Sequence, residues 1–279
     1  MATQPGPHLS LTEQLAHCTV RIEADGGTGT GFFFRFALEG DSYVPAIITN
    51  KHVVEGAKHG RFVFTLTNDD GTPNFTSHVP VEFNDFEKHW VAHPDPDIDL
   101  CAMPTASILA WAREAKHRFF YRSIDFSLVP TADELADLNP VKDITMVGYP
   151  NGLWDQTNNM PIFRRGITAT HPRLPWNGKP EFLIDAACFP GSSGSPVFLL
   201  NQGGYVKRSG GTQLGSTRIK LLGVLYAGPQ HTVEGEIAIV SVPIQSKPIA
   251  LSNIPNNLGI VVRAEKLKEL EAKFVELAK

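Results

Sequence analysis

Apolar residues in this chain come in short runs cut by turn signals, the texture of strands rather than of helices. CTVRIEA (18–24), FFFRFAL (32–38) and YVPAIIT (43–49) are separated by DGGTGTG and EGDS, and further runs lie at 61–67, 79–83 and 99–103. That spacing predicts about six strands before Pro104, enough to close a small barrel. TASILAWAREAKHR (105–118) has helix-forming content and predicts a connecting helix. Strand texture resumes at 144–150, 164–170, 182–187, 196–200, 219–228 and 236–244, a second set of similar size. Residues 151–161 and 201–217, rich in Asn, Gly, Gln and Ser, predict exposed excursions.

The two ends differ. Ser10-Leu-Thr-Glu13 has the spacing of a capping box and predicts a short helix through Ala16. Leu267, Leu270, Phe274 and Leu277 recur at helical spacing among Lys and Glu, which predicts an amphipathic helix over 263–279. Its apolar face either packs on the chain's own barrel or docks a partner protein. The expected organisation is a tail and short helix at 1–17, a β-barrel at 18–104, a connecting segment at 105–140, a second β-barrel at 141–250, and a segment with a helix at 251–279.

With 42% apolar residues, 279 residues can fill a sizeable core, and a net charge of −4 speaks against a general nucleic-acid binder. No run approaches a membrane span and the N-terminus lacks a charged and apolar leader pattern, so no membrane is expected and the cytoplasm is the expected compartment. Cys18, Cys101 and Cys188 are odd in number and have no metal-like spacing, which suits reduced buried thiols. No metal or other cofactor is expected.

Candidate chemistry centres on DAACFPGSSGSPVF (185–198), two apolar strand ends around a tight turn with hydroxyls at its tip. Clusters of Gly, Ser and Pro more often only turn the chain. Here Gly191 frees the backbone two residues before Ser193, which lets the amides of Gly191 and Ser193 converge on one point as an oxyanion hole. A serine hydroxyl also needs a base and a group that orients the base. AIITNKHVVEG delivers His52 at the end of an apolar strand, and HPDPDIDLCAMP places Asp99 where another begins, with Asp97 as its rival.

TGTGFFF (28–34), TNKHVV (49–54), DLCAM (99–103), VGYP (147–150), RRGIT (164–168) and DAACFPGSSGSPV (185–197) stand in the order and texture of trypsin-like serine peptidases, and the chain most resembles their disulfide-free bacterial, HtrA-like or viral branch. The resemblance spans roughly residues 18–245. It implies an all-β, double six-stranded β-barrel of chymotrypsin-like form. It further implies Ser193 as nucleophile, His52 as general base and Asp99 as the acid that orients it. Asp99 is favoured over Asp97 because it adjoins the run Leu100–Met103. A peptide or protein substrate would pair with a strand at Leu225, Tyr226, Ala227 and Gly228, and its side chain would enter a pocket between that strand and residues 187–190, from Ala187 to Pro190, with a wall near 236–238. His231 and Glu236 leave the charge preference of that pocket open. Two residues depart from the pattern: Ser192 stands where digestive members carry an acid, and Ser195 where most members carry glycine. The same resemblance leaves two rival readings, a pseudoprotease acting as a protein-binding module and an esterase or acyltransferase.

Overall fold

The computed structural model describes residues 9–25, 27–38, 42–228, 230–236, 249–255 and 257–277, of which 230–236 and 249–255 are described by backbone alone. Ser10 opens α1 (Leu11–Ala16) with the expected capping box: its hydroxyl accepts from the Glu13 amide, and its own amide donates to the Glu13 carboxylate at 2.7 Å.

The first half is a seven-stranded antiparallel sheet made of β1 (Thr19–Ala24), β2 (Gly27–Ala37), β3 (Tyr43–Thr49), β4 (His59–Thr67), β5 (Pro73–Asn84), β6 (Val91–Ala92) and β7 (Cys101–Pro104). Its order is β5-β4-β1-β2-β3-β7-β6, and α2 (Lys51–Val54) follows β3 directly. The strand beyond the expected six is β6, too short to leave an apolar run. The connecting helices are α3 (Ala106–Glu114), inside the expected 105–118, and α4 (Ala132–Ala136), which opens on a second capping box from Thr131.

The second half contains β8 (Asp143–Gly148), β9 (Ile162–Thr168), β10 (Glu181–Asp185), β11 (Pro196–Asn201), the small hairpin β12 (Gly204–Val206) and β13 (Thr212–Leu214), β14 (Arg218–Ala227), the pair β15 (Gln230–Glu236) and β16 (Ile249–Pro255), and β17 (Leu258–Arg263). Six of these close a barrel in the order β10-β17-β14-β11-β8-β9. The chain is therefore mostly β, with one closed six-stranded barrel, a second sheet and short helices. The run at 236–244, expected to be a strand, lies beyond Glu236 outside the described residues; β17, not expected from the sequence, is one of the six barrel strands. Gly259 breaks the apolar pattern of β17 for a packing reason: a Cβ there would stand 2.6 Å from Cys188 Sγ and 2.7 Å from Leu225 Cδ1.

One apolar cluster joins Phe32, Phe34, Phe36 and Ile48 of the first half to Val147, Phe198, Val224 and Val262 of the second, so the halves share a core. The same cluster takes in Leu267, Leu270 and Phe274 of α5 (Leu267–Leu277). Phe274 meets the Phe36 ring at 5.1 Å between centroids, and Glu271 Oε1 accepts from the Ala37 amide at 2.9 Å. The apolar face of this helix thus packs within the chain, the first of its two expected roles. All three cysteines are free and buried, and burial pushes Cys18 up to about 12 and Cys188 up to about 11.

His17, 5% exposed between the rings of Phe75 and Phe120, is held down to about 4, first by burial and then by the nearby Arg122 charge. The unfolded chain takes up this proton near pH 6.5, while the folded chain refuses it until about pH 4. Stability from this group is therefore complete above pH 6.5 and lost as pH falls through that window, by about 3 kcal/mol at its lower end. Denaturant titrations from pH 7 to 4 should show this slope, and His17→Gln should flatten it. An unchanged slope in the variant would refute the assignment.

Candidate active site

Strand β3 ends in Thr49, and α2 begins two residues later, so His52 projects from a helical turn seated on a buried strand end. Across from it, Asp99 sits between buried Ile98 and Leu100, just before β7. Asn50, fully buried, donates from Nδ2 to the Asp99 carbonyl at 2.7 Å and fixes the two segments to each other. The Asp99 carboxylate grips His52 twice: Oδ1 accepts from the His52 amide at 3.2 Å, and Oδ2 lies 2.5 Å from Nδ1. A carboxylate at Nδ1 assigns the ring proton to that nitrogen and leaves Nε2 as an acceptor. His52 keeps 46% of its side-chain surface exposed against 22% for Asp99, so the ring reaches the surface while its anchor is more sheltered.

Asp97 is elsewhere. It is exposed, and its amide donates to Asp95 Oδ1 at 2.9 Å to close a local turn. Lys51 steadies this loop by donating to the carbonyls of Asp95 (3.0 Å) and Pro96 (3.3 Å). Of the two candidate acids, the structure brings only Asp99 to His52.

The Ser193 turn links β10 to β11 and carries two glycines in the left-handed region, Gly191 (φ 83°) and Gly194 (φ 86°). Its bonds are Ser192 N to Phe189 O (3.0 Å), Ser195 N to Ser192 O (3.0 Å), Gly194 N to Leu225 O (2.8 Å) and Asn151 N to Pro190 O (2.5 Å). The amides of Gly191 and Ser193 donate to no partner among the described residues, as an oxyanion hole requires. The Ser193 hydroxyl donates to the Tyr226 carbonyl at 3.3 Å rather than to His52. A hydroxyl has one proton to give, so a bond from Ser193 to an imidazole would need that proton released from the Tyr226 carbonyl.

Beside Ser193 lies a cavity of about 140 Å³ lined by Cys188, Phe189, Pro190, Leu225, Tyr226, Ala227 and Gly228, all within the two stretches named from the sequence. Ala187 is not in its lining; the Ala187 carbonyl instead accepts from Arg164, whose guanidinium stacks 4.7 Å from the Phe189 ring centroid. Tyr226 Oη donates to the buried Glu181 at 2.9 Å, and burial and that carboxylate together drive the phenol well above its ordinary range. The side chains of His231 and of the wall at 236–238 lie outside the described residues. Among the described residues, no group of three His, Cys, Asp or Glu side chains is placed to hold a metal ion, and no helix is long and apolar enough to cross a membrane.

A closed six-stranded barrel packed on a second antiparallel sheet through one shared core defines the fold class. The family described as trypsin-like peptidase domain matches residues 29–206, and the chain belongs to that family. No curated protein sequence matches it. Among solved structures it is similar to Rv3671c from M. tuberculosis H37Rv, a protease captured in an inactive form, at 17% identity over 97% of this chain and 98% of that one, with a TM-score of 0.43. It is also similar to the serine endoprotease from Yersinia pestis, at 13% identity over 94% of this chain and 64% of that one, again with a TM-score of 0.43.

Proposed function

We propose that the chain is a serine endopeptidase acting on extended peptide segments. His52 Nε2 takes the Ser193 proton as Oγ attacks the scissile carbonyl, and Asp99 stabilises the resulting imidazolium. The Gly191 and Ser193 amides hold the oxyanion, and His52 returns the proton to the departing amine to leave an acyl-Ser193 ester. Water, activated by the same imidazole, then releases the acid and restores the hydroxyl. The observation that carries this reading is the Asp99 carboxylate 2.5 Å from His52 Nδ1, in a chain whose serine turn leaves the Gly191 and Ser193 amides without a partner among the described residues. Three buried free thiols suit a reducing compartment, so we place the protein in the cytoplasm.

One observation favours the rival reading of a binding module without turnover: the Ser193 hydroxyl rests on the Tyr226 carbonyl. A fluorophosphonate separates the two. The purified chain, not cut by any other protease, is expected to gain one covalent adduct on Ser193 and to cleave members of a peptide library. A chain that stays unlabelled before and after limited proteolysis would leave the binding module as the better account.

A further inference from the structure

The turn that carries Ser193 is held by a hydroxyl from the other half of the molecule. Thr30, in the middle of β2, is fully buried, and its Oγ1 donates to the Gly191 carbonyl at 3.0 Å. The same oxygen accepts from the Tyr149 amide at 3.0 Å and from Ser195 Oγ at 3.3 Å. One donor and two acceptor sites exhaust a hydroxyl, so no capacity is left over. The backbone of Thr30 adds two more ties: its amide donates to the Ser193 carbonyl at 2.8 Å, and its carbonyl accepts from Thr49 Oγ1 at 2.8 Å, two residues before the helical turn that carries His52.

The peptide planes of the turn show what this accomplishes. The Pro190 carbonyl is engaged by the Asn151 amide, which turns the amide of that plane, Gly191 N, the opposite way and leaves it free. The next carbonyl, of Gly191, is engaged by Thr30, and the one after it, of Ser192, by the Ser195 amide. With all three carbonyls committed, the Gly191 and Ser193 amides are the ones left without a partner among the described residues. Thr30 acts on the first plane as well, because its bond to Tyr149 N holds the segment that presents Asn151. Ser192, 1% exposed, brings no charge that could order the turn by an ion pair.

We propose that Thr30 is the positioning residue of the oxyanion turn, a proposal that rests on the reading of Ser193 as nucleophile. Thr30→Val keeps the shape and both backbone ties while deleting the three side-chain bonds. Its limiting rate of inactivation by a fluorophosphonate, whose phosphoryl oxygen occupies the oxyanion site, should fall by about 10- to 100-fold, the scale of a misplaced reacting group. Half-saturation should stay within about threefold of the parent, and Thr30→Ser should recover most of the rate. Thr30→Ala removes the same bonds without placing a methyl against the Gly191 carbonyl, and serves if the valine variant does not fold. Amide exchange over 189–195 should quicken in the Val or Ala variant and not in the Ser variant. Equal rates in parent and hydroxyl-free variant, or equal losses in the Ser and Val variants, overturn the proposal. If the parent chain itself is never labelled, the peptidase reading fails, and exchange alone judges Thr30: unchanged exchange at 189–195 overturns it.

Discussion

Ser193→Ala is expected to abolish turnover, with kcat lower by about 10⁶, the scale on which removal of a triad nucleophile leaves only binding and oxyanion stabilisation. Fluorophosphonate labelling should vanish with it. The fold should survive, because the hydroxyl makes a single bond, to the Tyr226 carbonyl, worth about 1 kcal/mol. Ser195→Ala should be far milder, within about tenfold, since that buried hydroxyl meets Thr30 and faces no open amide. Kinetics, labelling and thermal melts on both variants check the assignment together. Labelling that persisted in the Ser193 variant and vanished in the Ser195 variant would shift the nucleophile by two residues.

Asp99→Asn is expected to cost about 10⁴ in kcat with little change in KM, the scale seen when the orienting acid of such a triad is amidated. The geometry gives the reason. Oδ2 faces His52 Nδ1 at 2.5 Å, and an amide NH₂ placed there would donate to that nitrogen, drive the ring proton to Nε2 and remove the acceptor that Ser193 needs. Asp97→Asn should leave turnover within about twofold, because its exposed carboxylate touches neither the ring nor the turn. A comparable loss at both positions would reassign the acid.

Much of this architecture was legible in the chain because its strands alternate or run apolar between glycine and proline signals, as FFFRFAL and YVPAIIT do. His52 could be read because an apolar strand delivers it, and Ser193 because Gly-Ser-Ser-Gly-Ser-Pro permits few other backbones. The choice between Asp97 and Asp99 rested on an adjoining apolar run, whereas the contact that separates them is made with a residue 47 positions away. Thr30 was passed over for a related reason. Within TGTGFFF it reads as one more strand threonine, and its partners lie 119 to 165 residues further along. The stretch 187–190 could be named as one side of a pocket, but which of its residues line the cavity depends on the approach of β14. β17 was missed because Gly259 interrupts it directly after the Asn256–Asn257 turn signal.

Helix α5 bears on how the molecule is made. Its Glu271 meets Ala37 across 234 residues of chain, and its Phe274 covers Phe36. Such a distant closure costs the finished fold little, because loop entropy grows only logarithmically, but it delays the folding that depends on it. A ribosome delivers the first seven strands while Phe36 waits for a helix not yet translated and the cluster it belongs to waits for Phe198 of β11 and Val224 of β14. Until then the nascent first half is an unfinished surface in need of sheltering rather than a module that folds as it emerges. Completion of the shared hydrophobic core therefore waits on α5, which is made 234 residues after the strand residue that its Glu271 binds.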